Sequence, residues 1–356
     1  MTPEEQEELL VLGRTVDEVL AAAGDEVTPE EAWAALAELG MTAVGLPEEL
    51  GGSGGDVVQA AAVLRAVAYR CAPAPVAESA WGGSWLLARA GLPVPECPAV
   101  ALWVGADVEV ASSGGTTRIR GTVRAVAGAR CADLLVVAVP NEAGAALVRL
   151  TTDNVTLVPG ADLAGLPLDD VCLDVEVLDA ELVAVPVTRD DFDLRVAVAR
   201  LVQITGAAAR AADLVLDHVR TREQFGRPLA RFQVVQGRAA TIASSTRLLD
   251  AAADLAVESI ASIDRPDGNE ADLRAARLRA VLAVATAYDA VGEVAAHSHQ
   301  LLGAMGFTTE HPLYRSTTRM WSWREEAGGQ RRWLAQAAEA LLADQGRDAW
   351  AQLADR

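Results

Sequence analysis

The chain has 356 residues, a length that predicts two or three domains rather than one small core. Hydrophobic residues make up 51% of it and charged residues 22%, a balance that favours a globular protein over a disordered one. A net charge of -20 disfavours nucleic acid and anionic membranes as partners. Because no apolar run reaches the roughly 20 residues of a membrane span and the acidic N-terminus lacks signal-peptide features, a cytoplasmic protein is expected.

The first segment, residues 1–98, has the pattern of a helical domain. Thr28 precedes a proline and two glutamates, the N-cap and first turn of a helix that continues through Ala32–Leu39. A further helix is predicted at Val57–Tyr69. The glycine-rich stretch Gly45–Asp56 has no preceding strand and no Gly-Lys-Ser/Thr ending, so a connecting loop is favoured over a phosphate-binding loop.

The middle segment, residues 99–188, consists of short valine-rich runs separated by turn residues, the pattern of a small β-domain. The predicted strands are Ala99–Val104, Thr117–Arg120, Leu134–Val139, Ala146–Leu150, Val171–Val177 and Leu182–Val185. Helical periodicity returns over residues 189–356 and predicts a C-terminal four-helix bundle. Its helices are predicted at Leu194–Val219, Gln233–Glu258, Glu270–Leu302 and Gln330–Asp344. The fold class is therefore α+β, with several domains.

Cysteine and histidine spacing predicts no metal site and no disulfide framework. The cysteines have no CxxC pair, so buried free thiols are expected; they are Cys71, Cys97, Cys131 and Cys172. His297 and His299 lie two residues apart, which puts them on different faces of a helix. His218 and His311 add no convincing third ligand.

The segment from Arg222 to Gln233 is the first that predicts chemistry. If it is helical, Arg222 and Phe225 share a face, and the Gly-Arg-Pro that follows ends the helix. A guanidinium beside an aromatic ring suits a diphosphate with its ribose or adenine, although a surface ion pair over a buried phenylalanine is the alternative. The amide of Gln233 can donate to and accept from an adenosine edge, or simply face solvent.

The second such segment runs from Gln300 to Tyr314. Its small residues Gly303, Ala304 and Gly306 allow backbone N–H groups to approach an anion closely. Gly303 also suits the C-cap of a helix, and both interpretations can hold together.

These two segments resemble the RxxFG…Q and QxxGGxGF…EHP signatures of the acyl-CoA dehydrogenase C-terminal domain, and residues 40–52 resemble the first domain of that family. The resemblance covers nearly the whole chain. It implies the family's fold and its reaction, the α,β-desaturation of an acyl-CoA thioester with FAD as cofactor. In the family both segments contact the ADP half of FAD across a subunit interface. The FAD contacts so implied are Arg222, Gln224, Phe225, Gln233, Gln300, Leu301, Gly303 and Ala304.

The catalytic base of the family has no clear counterpart in the sequence. Its usual glutamate, counted forward from the EHP segment, falls on Ala327, and the less common position falls on Val196. Glu325 and Glu326 directly precede the first of these positions, so a short shift in register would supply a base for the proton α to the thioester. The alternative is that both glutamates lie on a solvent-exposed helix face.

The middle segment lacks the family's flavin-ring signatures as well. Residues 104–113 contain nothing like T-E-x-x-x-G-S-D, and residues 120–130 lack the tryptophan of a Trp-Ile-Thr/Ser stretch. The chain thus resembles the shorter, non-catalytic subunit of heteromeric actinobacterial acyl-CoA dehydrogenases of lipid or steroid catabolism, which implies a homologous partner in a heterotetramer. The alternatives are a homo-oligomeric dehydrogenase that uses Glu325 or Glu326, and a scaffold that binds no flavin. The acyl group stays open.

Overall fold

The computed structural model describes residues 2–24, 26–265 and 268–343. The described residues form two compact units. The first holds those up to Val63 together with Ala72–Val196, and the second holds Leu64–Cys71 and those from Ala197 onward. Helices come first, then strands, then long helices, so the predicted α+β order is confirmed. The finer division at residues 98 and 188 stays a prediction.

The N-terminal helices are α1 (Pro3–Ala23), α2 (Pro29–Ala37), α3 (Val57–Tyr69), α4 (Val76–Glu78) and α5 (Ser84–Arg89), with a π-helical turn at Ser79–Gly83. Of the N-terminal helices, α2 and α3 begin where the sequence predicts. At the start of α2 the Glu31 N–H donates to the Thr28 hydroxyl at 3.2 Å, and the Thr28 N–H donates to the Glu31 carboxylate at 3.0 Å. This capping box satisfies two backbone donors that the first turn otherwise leaves unpaired.

The glycine-rich stretch between α2 and α3 is the predicted connecting loop. An antiparallel bridge joins Leu46 to Gly54 and folds the stretch back on itself. Gly52 packs so closely on the Leu46 carbonyl that a Cβ there would collide with it. The glycines therefore serve the turn itself, and the predicted connector is confirmed.

Two four-stranded sheets follow, and their facing apolar residues form a core of the first unit. The strands are β1 (Ala99–Trp103), β2 (Val108–Ser113), β3 (Thr116–Ala127), β4 (Leu134–Asn141), β5 (Gly144–Thr151), β6 (Thr156–Val158), β7 (Leu168–Leu178) and β8 (Val183–Val185). One sheet has the order β1-β4-β5-β8, with β1 parallel to β4, and the other has the order β2-β3-β7-β6. The predicted strands are confirmed. The sequence missed β2 and β6, because β2 is almost fully exposed and β6 spans only three residues.

Asp169 in β7 is a buried residue of the second sheet that accepts several hydrogen bonds. Its carboxylate accepts hydrogen bonds from the Arg130 guanidinium and from the N–H groups of Arg130 and Gly160, at 3.1 and 3.0 Å. Burial by itself raises the pKa of the Asp169 carboxyl, but the hydrogen bonds from Arg130 and Gly160 outweigh it and hold the pKa below its usual value. The Asp169 side chain therefore links β7 to the turn at Arg130 and to the loop at Gly160.

Replacing Asp169 by asparagine should lower the free energy of unfolding by about 2–3 kcal/mol, because a buried carboxylate with several charged hydrogen bonds is lost while half-exposed Arg130 keeps access to water. The matched control is Asp174→Asn, which removes an ion pair with Arg118 whose side chains are 54% and 55% exposed. The control should lose less than about 1 kcal/mol. Urea denaturation measures both, and equal losses would contradict the role of Asp169.

The same carboxyl makes the stability of the β-domain depend on pH. Because the pKa of Asp169 is lower in the folded than in the unfolded chain, its contribution is present above the unfolded pKa of about 4 and is lost as pH falls through the folded pKa. Urea denaturation at pH 7, 5 and 3.5 should show the unsubstituted chain losing stability more steeply than Asp169→Asn below pH 5. Parallel curves would contradict this assignment.

Long helices make up the second unit. They are α6 (Arg189–Thr221, of which the part from Ala197 lies in this unit), α7 (Gln233–Asp264), α8 (Glu270–Leu302), α9 (Leu313–Glu326) and α10 (Gly329–Ala343). The predicted helices are confirmed, except that the predicted last residue, Asp344, lies outside the described residues. Asn269 caps α8 by accepting from the N–H groups of Ala271 and Asp272, both at 3.0 Å. Among the described residues, no helix combines the length and hydropathy that crossing a bilayer requires.

Candidate functional site

Arg222 and Phe225 lie in a hairpin and not on a helix, so the predicted shared helical face is wrong. Helix α6 ends at Thr221, and a two-residue turn joins β9 (Glu223–Gln224) to β10 (Arg227–Pro228). Phe225 and Gly226 both have positive φ values, 54° and 75°, which is the signature of a type I′ turn. The Leu229 N–H closes the hairpin by donating to the Arg222 carbonyl at 2.9 Å.

Phe225 is both conformationally strained and exposed. A phenylalanine in the left-handed region costs roughly 1 kcal/mol or more, and 90% of this residue faces solvent. Its ring meets the edge of Phe232 at 6.1 Å, and the Arg227 guanidinium lies 4.2 Å from the centre of the Phe232 ring. The alternative of a buried phenylalanine under an ion pair is thus wrong. The hairpin tip presents an uncovered aromatic platform beside the start of α7.

The two signature segments lie at the same end of the α7–α8 pair. Arg238 Nη1 in the second turn of α7 lies 3.2 Å from His297 Nδ1 in the last turns of α8, within hydrogen-bonding distance. Gln233 is the first residue of α7, and Gln300 comes three residues after His297. Both glutamines are exposed. Because helices rise 1.5 Å per residue, each amide lies within about two turns of that bond.

The loop after α8 is held by a histidine that the sequence analysis considered only as a metal ligand. His299 stacks on Phe307 with ring centres 4.5 Å apart, and its Nε2 is hydrogen-bonded to the Thr317 hydroxyl at 2.9 Å. Burial lowers the pKa of His299, which keeps the ring neutral for that bond. No sequence spacing predicts this stacking, because Phe307 comes to lie beside His299 only through the turn at Gly303.

The predicted FAD contacts in this loop differ in exposure. Gly303 ends α8 with a φ of 64°, so the predicted C-cap is confirmed. Gly303 and Ala304 are exposed, with nothing within 4 Å of where a Gly303 Cβ would be, and the Gly303 N–H donates to the His299 carbonyl. Leu301 is only 8% exposed, so its side chain belongs to the bundle core. Backbone atoms are what this loop offers to a ligand.

The polar side chains of the two segments have no partner within the part of the chain that the structure describes. This holds for Arg222, Gln224, Gln233 and Gln300, all of which are exposed. A guanidinium, three amides and an uncovered ring suit the diphosphate, ribose and adenine of a dinucleotide. The residues therefore fit the ADP half of FAD.

At the bulge of the strand segment that replaces the flavin-ring signature, the polar groups have partners within the chain. A bulge interrupts the pairing of β3 with β7, and the Ala125 N–H at this bulge donates to the Asp170 carboxylate at 2.9 Å. The Arg124 guanidinium lies 3.4 Å from the Asp107 carboxylate and 3.8 Å from that of Asp170. The polar groups at the bulge are therefore already bound within the chain.

The two candidate base residues have different surroundings. Glu326 forms an ion pair of 2.8 Å with Arg200 of α6, and their side chains are only 14% and 5% exposed. Glu325 is 64% exposed and accepts from the adjacent Arg324 at 2.6 Å. The solvent-facing alternative thus holds for Glu325 but not for Glu326, whose carboxylate neutralises a buried guanidinium.

Glu326→Gln should lower the free energy of unfolding by about 3–5 kcal/mol, because the Arg200 charge is left buried without its partner. The matched control is the neighbouring Glu325→Gln, which should cost less than about 1 kcal/mol because that pair is exposed. Urea denaturation of the two variants provides the comparison. Losses of the same size would show that the Arg200–Glu326 pair is not a structural one.

Phe225→Asn should change the free energy of unfolding of the isolated chain by less than about 0.5 kcal/mol, since the ring is exposed and asparagine tolerates the left-handed region. Phe225→Val serves as the contrast, because a β-branched residue there should cost about 1–2 kcal/mol. Both variants are measured by urea denaturation. A large loss for asparagine would show that the ring supports the fold rather than faces another molecule.

The sequence matches known proteins over most of its length. Residues 4–93 match the acyl-CoA dehydrogenase N-terminal domain, and residues 195–342 match the C-terminal domain of the same family. Acyl-CoA dehydrogenase FadE27 of Mycobacterium tuberculosis is 29% identical over 354 residues, which cover 88% of this chain and 85% of that protein.

Solved structures share the fold. The ChsE4-ChsE5 complex from Mycobacterium tuberculosis contains a chain that matches with a TM-score of 0.78 and 23% identity, covering 96% of this chain and 98% of its own. A variant of the Tcur3481-Tcur3483 steroid ACAD matches with a TM-score of 0.79 and 19% identity, covering 96% and 99%. The two domain matches together span more than half of the sequence, and the chain belongs to the acyl-CoA dehydrogenase family, whose members are oxidoreductases that act on CH–CH bonds.

Proposed function

We propose that this chain is a subunit of a heteromeric FAD-dependent acyl-CoA dehydrogenase. It contributes contacts to the ADP half of an FAD seated in a homologous partner chain, and it supplies no catalytic base. The observation that carries the proposal is the exposed end of the α7–α8 pair, where the polar side chains have no partner among the described residues and the strained ring of Phe225 is exposed.

Different residues at this end of the helix pair are suited to different parts of the cofactor. The Arg222 guanidinium is suited to a forked pair of hydrogen bonds with a diphosphate. The amides of Gln233 and Gln300 are suited to the adenosine, and the small exposed residues Gly303 and Ala304 let the phosphate groups approach closely. Bound FAD would accept the hydride that leaves the β-carbon of the acyl thioester.

No catalytic base is assigned to this chain because Glu326 is paired with Arg200. A carboxylate that abstracts a proton must reach it within about 3 Å, and Glu326 is instead held by a guanidinium in the interior. Glu325 is exposed and bound to Arg324. Neither surrounding favours the self-sufficient dehydrogenase. The partner chain would therefore supply the base and the contacts to the flavin ring.

Two of the structural relatives support a partner of the same family. The ChsE4-ChsE5 and Tcur3481-Tcur3483 structures each pair two chains by name. An assembly of that kind would cover Phe225, which no part of this chain covers among the described residues. The proposed substrate is an acyl-CoA thioester, with lipid and steroid acyl groups both open.

Arg222→Ala should lower the flavin content of the complex of this chain with its partner, because a charged hydrogen bond of about 1.5–3 kcal/mol is lost. The matched control is Arg220→Ala, an exposed arginine two residues earlier on α6 that should leave the flavin content unchanged. Absorbance near 450 nm per mole of complex, after extensive dialysis, is the measurement. Equal flavin in both variants would contradict the proposed contact.

The visible spectrum of the chain purified alone tests the heteromer itself. We expect a colourless protein that becomes yellow when it is co-expressed with a homologous acyl-CoA dehydrogenase chain. Flavin on the isolated chain together with turnover of an acyl-CoA would overturn the proposal in favour of a self-sufficient enzyme. A co-purified pair that stays colourless would favour a scaffold that binds no flavin.

A further inference from the structure

His297 lies between α7 and α8 and has a hydrogen bond at each of its two ring nitrogens. Its Nδ1 is 3.2 Å from Nη1 of Arg238 in α7, and its Nε2 is 3.1 Å from a carboxylate oxygen of Glu293, one turn earlier on α8. The His297 side chain is 24% exposed, whereas that of Glu293 is 58% exposed. The imidazole is therefore a largely buried link from one helix to the other.

The two partners fix where the imidazole carries its proton. A guanidinium can only donate, so Nδ1 accepts from Arg238. An ionised carboxylate can only accept, so Nε2 carries the proton and donates to Glu293. Glu293 thus sets the tautomer and the orientation of the ring, and the ring in turn sets the position of the Arg238 guanidinium.

Apolar packing does not hold the first turns of α7. The first buried residue of that helix is Ile242, and none of residues 233–241 is buried. The last turns of α8 differ, because Val294 and Leu301 are buried there. The end of α8 is therefore anchored in the core of the second unit, and the start of α7 needs another attachment.

The bond from Arg238 to His297 provides such an attachment. Arg238 has no other hydrogen bond and no ion pair within the described part of the chain, although the sequence contains 50 acidic residues. The Gln236 side chain nearby donates to the Ala230 carbonyl at 2.9 Å, a bond that does not reach α8. Because a hydrogen bond to a ring nitrogen is directional, the Arg238–His297 contact is suited to setting the distance and angle between the two helices.

We propose that His297 is a positioning residue, which holds the first turns of α7 at a fixed distance from the last turns of α8. Gln233 comes five residues before Arg238, and Gln300 comes three residues after His297. Without the link the two amides would move independently, and a ligand that contacts both would bind less tightly because it would have to order them. The consequence for FAD rests on the proposed function, whereas the link itself does not.

Amide hydrogen exchange of the chain alone, without flavin, tests the link. His297→Phe keeps a ring but accepts no hydrogen bond, so exchange over residues 237–241 should become roughly tenfold faster, the effect of one lost bond to a charged group. His297→Asn should stay within about twofold of the unsubstituted chain, because its side-chain oxygen can take the place of Nδ1. Unchanged exchange in His297→Phe would overturn the proposal.

Arg238→Ala should speed the same exchange as much as His297→Phe does. The double variant should exchange no faster than either single variant, because both changes remove one and the same bond. The matched control is Arg247→Ala on the same helix, since the Arg247 side chain is 85% exposed and lies 3.4 Å from Asp250 of α7 itself. It should leave residues 237–241 unaffected. Independent, multiplying effects of the two single changes would count against the link.

The nitrogen-15 spectrum of the histidine-labelled chain tests the assigned tautomer. The His297 signals are identified by their loss in His297→Phe. At pH 8 we expect a proton on Nε2 and none on Nδ1. A proton on Nδ1 would show that the ring does not accept from Arg238, and the proposal would fail.

The affinity of the flavin-bearing complex for FAD tests the consequence for the cofactor. His297→Phe and Arg238→Ala should each raise the dissociation constant of FAD by about tenfold, and His297→Asn should restore most of the affinity. The urea midpoint of the free chain should change little in all three variants, because the first turns of α7 bury no side chain. A merely structural role would instead lower that midpoint and the affinity together.

The results separate this proposal from the proposed function. If exchange responds but the affinity for FAD does not, His297 links the helices without positioning a cofactor, and the proposal is overturned while the Arg222 contact stands. If no assembly of this chain retains flavin, the proposed function fails. The exchange of the free chain then still decides whether His297 holds α7 against α8.

Discussion

Antiparallel packing of α7 against α8 places the first turns of one helix beside the last turns of the other, and the Arg238–His297 contact lies where they meet. The two segments that carry the predicted FAD contacts are attached near this point. The hairpin of Phe225 leads into α7, and the loop that begins at Gly303 leaves α8. Two segments that are far apart in the sequence are thus attached at the same end of one helix pair.

The surroundings of the two halves of a bound flavin would be unequal. At the exposed end of α7 and α8 the side chains of Arg222, Gln233 and Gln300 have no partner among the described residues, whereas the Ala125 N–H at the bulge donates to Asp170. Polar groups that are satisfied internally have little to gain from a ligand, because each new bond replaces an existing one. This difference is the physical reason for assigning one half of the cofactor to this chain and the other half to a partner.

Local patterns predicted most of the fold and only part of the site. Helix α8 begins and ends at the predicted residues because Asn269 and Gly303 are strong local capping signals. The hairpin at Phe225 was not predicted, because aromatic residues rarely adopt positive φ and the RxxF spacing also fits a helix. The Arg200–Glu326 pair joins two helices that are distant in the sequence, so no local pattern contains it. The strand β2 was missed because all of its residues except Val108 are exposed, so no buried apolar face marks it.

The interior ion pair between Arg200 and Glu326 also has an evolutionary consequence. A lineage that begins to use Glu326 as a free carboxylate must first release it from Arg200, and that step alone leaves a buried guanidinium without its carboxylate. Replacing Arg200 alone leaves a largely buried carboxylate without that guanidinium. Because each single change destabilises the fold, a free carboxylate at position 326 is hard to reach by single substitutions.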